Sequence, residues 1–122
     1  EAEWERAARA GTTAPRYGEV EAIAWGASNA SGGVKAVKAR TKNPWNLFDL
    51  LGNVAEWTYD RYGEYADDTM TDPMGAEEGD ARVVRGGSFQ SPAAALRASA
   101  RDHADALAAS PAIGFRVVRS VR

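Results

Sequence analysis

The chain has 122 residues, 44% hydrophobic and 26% charged, a composition that suits one globular domain and excludes disorder as the starting assumption. Seventeen acidic against fifteen basic residues set the net charge at −2, which argues against nonspecific binding to nucleic acid or an anionic membrane, and no apolar run approaches membrane-spanning length. Cysteine is absent, so disulfides, thiolate metal sites and thiol nucleophiles are excluded.

The chain opens on Glu1-Ala2-Glu3-Trp4-Glu5-Arg6-Ala7-Ala8-Arg9, already inside a helical pattern with no N-cap residue, and so reads as a domain entered partway through. Trp4, Ala7 and Ala8 share one side of this helix, and Gly11 is its expected C-cap. Over 12–42, Pro15, Gly18, Gly26, Gly32 and Gly33 interrupt brief apolar pieces such as Ile23-Ala24-Trp25, which predicts long irregular loops. So much irregular chain in a compact domain calls for a functional reason or a tether such as a metal. The stretch 43–57 is the densest in large apolar residues, with a turn at Gly52-Asn53 that sends Val54 and Trp57 into a strand or the core. Gly, Asp, Tyr and Pro dominate 61–81, a surface loop leading to a strand at 82–85. The similar phrase at 115–119 predicts a second strand, paired with the first, with Val84 and Val118 facing one side at the centre of a small antiparallel sheet. The fold class is α+β and loop-rich.

Asp49 and Glu56, separated by a tight turn, can aim carboxylates at one centre. The carbonyls of Gly52 and Val54 would complete an all-oxygen shell suited to calcium. The competing reading has Asp49 capping a turn and Glu56 pairing with an arginine. Arg85-Gly86-Gly87-Ser88 could cradle an oxyanion, but a bend that turns the chain out of the sheet is the better reading. Arg85, Arg97, Arg101 and Arg116 are assigned to structural ion pairs, with Asp60, Asp80 and Asp102 as available partners. Trp4, Trp25, Trp45 and Trp57 all lie in apolar phrases and are assigned to the core. His103, the only histidine, cannot build a histidine metal cluster.

Five ordered motifs carry a resemblance: Glu1-Ala2-Glu3-Trp4-Glu5, Ile23-Ala24-Trp25, the run from Asn46-Leu47-Phe48-Asp49 through Gly52-Asn53-Val54-Ala55-Glu56-Trp57, Arg85-Gly86-Gly87-Ser88-Phe89, and Ile113-Gly114-Phe115-Arg116. In this order they resemble the sulfatase-modifying-factor, or formylglycine-generating-enzyme-like, family. The resemblance implies a C-type-lectin-like fold, of which residues 1–122 form the C-terminal part. It also implies calcium at Asp49, Gly52, Val54 and Glu56, through two side chains and two carbonyls. The copper-dependent oxidases of that family work through a cysteine pair, which this chain lacks. A non-catalytic member is therefore expected; the alternatives are an enzyme acting without the cysteine pair and a structural domain of a larger protein.

The frame around 85–119 is also similar to the variable region of proteins diversified by retroelements, in which adenines of Asn-type codons are randomised. That similarity implies a ligand-binding surface at Phe89, Gln90, Ser91, Ala93, Ala95 and Ala100, continuing through Asp102, His103, Ala104, Asp105, Leu107 and Ser110. Randomising both adenines of an Asn codon cannot produce Lys, Glu, Gln, Met or Trp. None of these occurs in 102–112, while Gln90 departs from the rule. The expected partner is a protein or glycan, reached through two exposed loops around Leu96-Arg97-Ala98-Ser99, with Leu96 as their anchor. The alternative is an inert, partly helical packing loop, since alanine favours helix.

Overall fold

A computed structural model of the chain describes residues 1–65 and 67–119. Helix α1 spans Ala2–Arg9 and buries Trp4 and Ala8; Glu3 and Glu5 lie in its first turn and Arg6 and Arg9 in its last, matching the helix dipole. The helix stops one residue earlier than expected, because Ala10 (φ 46°) takes the left-handed step ahead of Gly11 (φ 86°). A short second helix, α2, covers Val20–Ile23.

The rest of 12–54 is irregular, as expected, and two buried asparagines hold it in place of regular hydrogen bonding. Asn43 donates through Nδ2 to the Ala7 carbonyl (2.7 Å) and accepts the Trp45 and Leu47 N–H groups (3.0 Å each). Asn53 clamps Lys35, accepting its N–H (2.9 Å) and donating to its carbonyl (3.1 Å).

The sheet contains β1 (Ala55–Arg61), β2 (Ala81–Arg85), β3 (Arg101–Asp105) and β4 (Ile113–Gly114), in the order β3-β2-β1-β4. β2 runs antiparallel to both β1 and β3, whereas β4 joins β1 in parallel. The β1–β2 register slips between Trp57 and Arg61, an irregularity in the ladder. The expected pairing of 82–85 with 115–119 is therefore wrong. Both edges of β2 are taken by β1 and β3, so Val84 is 3% exposed while Val118, outside the sheet, is 78% exposed. The segment 101–105, expected as loop, is a strand. Its Arg-Asp-His-Ala-Asp sequence has little strand propensity, and the backbone ladder to β2 forms it.

The main core packs Trp4 and Ala8 of α1 with Ile23, Leu50, Leu51 and Leu96. A satellite cluster joins Phe89 to Ala30, Ala112 and Trp25. Trp45 departs from its core assignment: it is 48% exposed and lies near Arg6, with the guanidinium 6.0 Å from its ring.

Candidate functional site

Strand register sorts the sheet residues onto two faces. Glu56, Arg85 and Arg101 form one row across β1, β2 and β3, and Trp57, Val84 and Asp102 form the next, on the opposite face. The first row meets α1. Arg85, whose side chain is fully buried, pairs with Glu1 (3.0 Å) and Glu5 and donates to the Ala98 carbonyl (2.8 Å). Arg101 pairs with Glu1 at 2.8 and 3.0 Å and lies over Tyr62 and Tyr65. These arginines are structural, as expected, but their partners are glutamates rather than the expected aspartates. The guanidinium of Arg101 is held above its ordinary range: burial opposes this, but the Glu1 carboxylate outweighs it.

Val84 and Asp102 of the second row line a groove of about 470 Å³, within the range of small-molecule sites. Ala55, Val84, Ala112 and Ile113 supply an apolar base, and Ser88, Ser91 and Ser110 supply hydroxyl-bearing walls. Of the residues singled out in the sequence, Gln90, Ser91 and Ala95 line it from one loop, Ala100, Asp102 and His103 from β3 and its approach, and Ser110 from the last loop. Ala93, Ala104, Asp105 and Leu107 do not line it; Leu107 is 94% exposed on the loop beyond. Phe89 is corrected outright. It is 6% exposed inside the satellite cluster, because its N–H is tied to the Asn53 carbonyl (2.7 Å) and its ring is the only large group filling that space beside Trp25. The floor residues were missed in the sequence because only strand pairing brings 55, 84 and 112 together. A second hollow of about 830 Å³ between α1 and the 64–77 segment holds none of the twelve ligand-contact residues.

The walls are tethered rather than loose. Gly86 (φ 91°) and Gly87 (φ 68°) turn the chain out of β2, confirming the bend; a Cβ on Gly86 would lie 2.6 Å from the Leu50 carbonyl oxygen. Beyond the bend Ser88 N–H donates to Ser91 Oγ (2.9 Å), and Ala27 N–H to the Ser91 carbonyl (2.9 Å). The loop then forms a single 3₁₀ turn, Ala93–Ala95, and buries Leu96 as its anchor. On the far side Asp105 Oδ1 accepts the Leu107 N–H (2.8 Å), and Ala55 N–H donates to the Ala112 carbonyl (2.8 Å). His103 stacks on Tyr62 with ring centroids 4.2 Å apart.

The 49–56 turn lies beside the start of β1. Glu56 Oε2 accepts Trp4 Nε1 (2.7 Å) and Arg116 Nε (2.7 Å), and Oε1 accepts Arg116 Nη2 (2.6 Å). Arg116 Nη2 also donates to the Phe48 carbonyl (3.0 Å), and Asp49 Oδ2 accepts the Lys38 N–H (2.7 Å). The arginine-pair reading of Glu56 is therefore realised. Two carboxylates and two carbonyls remain a donor chemistry that fits a hard cation, which would have to share Glu56 with Arg116.

Tyr17 faces the same cluster. Its hydroxyl is shielded and has no hydrogen-bond partner among the described residues; burial, then the Asp49 charge, push its pKa up to about 12, with Arg116 opposing. The neutral phenol is thus favoured in the fold, so its contribution is fully present below pH 10 and is lost as pH rises toward 12. Tyr17→Phe is expected to leave stability at pH 7 within about 1 kcal/mol of wild type, since it deletes an unpaired hydroxyl. It should also flatten the alkaline decline in melting temperature. A larger loss at pH 7 would refute the unpaired-hydroxyl reading.

Residues 1–121 match the family described as sulfatase-modifying factor enzyme 1-like domain. The chain is 35% identical over 126 residues to the serine/threonine-protein kinase pkn1 of Chlamydia pneumoniae, covering 99% of this chain and 20% of the kinase. It is 34% identical over 114 residues to the formylglycine-generating enzyme of Streptomyces coelicolor, covering 73% of this chain and 34% of the enzyme. Among solved structures, Treponema denticola variable protein 1 superposes with a TM-score of 0.88 at 32% identity, over 93% of this chain and 44% of that one. The chain thus spans only a fifth to a third of these curated relatives and under half of the variable protein.

Proposed function

Because the chain belongs to the sulfatase-modifying factor family and has its C-type-lectin-like fold, we propose that it acts as a non-catalytic ligand-binding domain. Its 470 Å³ groove receives part of a protein or glycan ligand. The observation that carries this reading is the groove's construction: a strand floor with mostly small side chains on tethered walls. Such walls lose little entropy on binding, but they offer few aromatic or arginine anchors, so this variant binds weakly. The likeness to a variable protein supports the further proposal that the wall positions are diversified by a retroelement. The absence of cysteine supports the non-catalytic assignment. A structural calcium held by Asp49, Glu56 and the carbonyls of Gly52 and Val54 belongs to the same proposal.

The test begins with selection of binders to the wild-type domain from a glycan array and a displayed random-peptide library. Binding is expected to vanish in Ala100→Trp and Ser110→Trp, which fill the groove, and to persist in Arg97→Ala, on the exposed loop outside it. Retained binding in both tryptophan variants would place the site elsewhere. For diversification, the coding DNA of 85–119 should have a near-copy nearby that differs only at adenines. Formylglycine formation on a cysteine-containing sulfatase peptide would overturn the non-catalytic assignment.

A further inference from the structure

We propose that Trp25, Lys35 and Arg40 form a second site, separate from the groove, that binds the oxyanion of a phosphate- or carboxylate-bearing ligand. None of the three lines the groove. The Arg40 guanidinium carbon lies 3.5 Å from the Trp25 ring centroid, and Lys35 Nζ lies 5.9 Å from the same ring. Stacking on the indole orders the guanidinium without neutralising it. Neither cation has a carboxylate partner among the described residues.

The loop that carries them has no regular structure, yet its backbone is pinned at three points. Asn53 clamps Lys35 on both sides, Lys38 N–H donates to Asp49 (2.7 Å), and Thr41 N–H donates to the Ala22 carbonyl (2.9 Å). The segment 33–42 contains Lys35, Lys38, Arg40 and Lys42 and no acidic residue, within a chain of net charge −2. Its positive field is therefore local, and it draws anions to this loop.

Two donors set the chemistry of what binds. Arg40 Nε and Trp25 Nε1 are both shielded from solvent, and neither has a hydrogen-bond partner among the described residues. Shielded donors in native folds find acceptors, and two that lack one beside two unneutralised cations match one kind of group. An oxyanion accepts hydrogen bonds from both N–H groups and supplies the missing negative charge.

The indole N–H resonance of Trp25, assigned with Trp25→Phe, reads the site directly. The ¹⁵N-labelled protein is titrated with inorganic phosphate and, separately, with acetate, against sodium chloride at matched ionic strength. A saturable shift of the Trp25 indole is expected with at least one oxyanion and not with chloride, while the Trp4 and Trp57 indoles stay in place. Which of phosphate and acetate binds more tightly identifies the source of the oxyanion. Arg40→Gln should weaken the response about tenfold or more, through loss of a charge-assisted hydrogen bond. If that variant loses native indole dispersion, Lys35→Gln carries the same test. No shift, an equal shift with chloride, or an unchanged affinity in the folded variants would overturn the proposal.

Discussion

Replacing Gly52 by alanine is expected to cost roughly 3–5 kcal/mol, a large effect for a single methyl group. Two separate terms add. Gly52 sits at φ 75°, where an L-residue is strained by about 1–2 kcal/mol. A Cβ there would also lie 2.3 Å from the carbonyl oxygen of Trp25 and 2.9 Å from its carbonyl carbon and its amide nitrogen, all backbone atoms that cannot rotate away. The same seam joins three loops of the site. Gly52 N–H donates to the Gly86 carbonyl (2.9 Å), Asn53 N–H to the Trp25 carbonyl (2.8 Å), and Phe89 N–H to the Asn53 carbonyl (2.7 Å). Urea unfolding should show a lower midpoint at unchanged slope, and a loss below about 1 kcal/mol would show that the backbones do not approach so closely.

Glu56→Ala is expected to cost about 3 kcal/mol, because it leaves Arg116 without its carboxylate and a buried Trp4 N–H without an acceptor. Arg116 keeps 30% of its side chain exposed and can recover some water, so the loss should stay at the low end of the range for broken buried pairs. Glu56→Gln should cost less, since an amide oxygen can still accept from Trp4. Coupling between the two positions, measured in a cycle with Arg116→Met, would be near zero if the pair does not form. The proposed calcium is separable from this pair. Millimolar calcium should raise the melting temperature of the wild type, and Asp49→Ala should abolish that increment while leaving the Glu56–Arg116 pair in place. Identical melting in calcium and in chelator would remove the metal from the proposal.

What could be read in advance follows from the range of the interactions involved. The opening helix was legible because its signal is local: apolar spacing, and acids before bases, lie within nine residues. The Gly86-Gly87 bend and the Leu96 anchor were legible for the same reason. Strand β3 was not, because Arg101, Asp102 and His103 have no strand preference of their own and are held by a partner some twenty residues away. The phrase 115–119 misled in the opposite sense. It has strand-like residues but no free edge to pair with beside β2. Phe89 sits in a frame that implied display, and only the packing of Ala30 and Ala112 against it puts its ring inside.

The sequence by itself determined the family, the lack of cysteine chemistry, and the small-residue tract that follows the Gly86-Gly87 bend, since each is a property of residue identity and order. Tertiary structure alone decided which of those small residues share a groove, which carboxylate Arg85 and Arg116 neutralise, and that Lys35 and Arg40 converge on one indole. Each of these depends on contacts between distant segments, and their geometry is set by strand register and backbone clamps that no local pattern encodes.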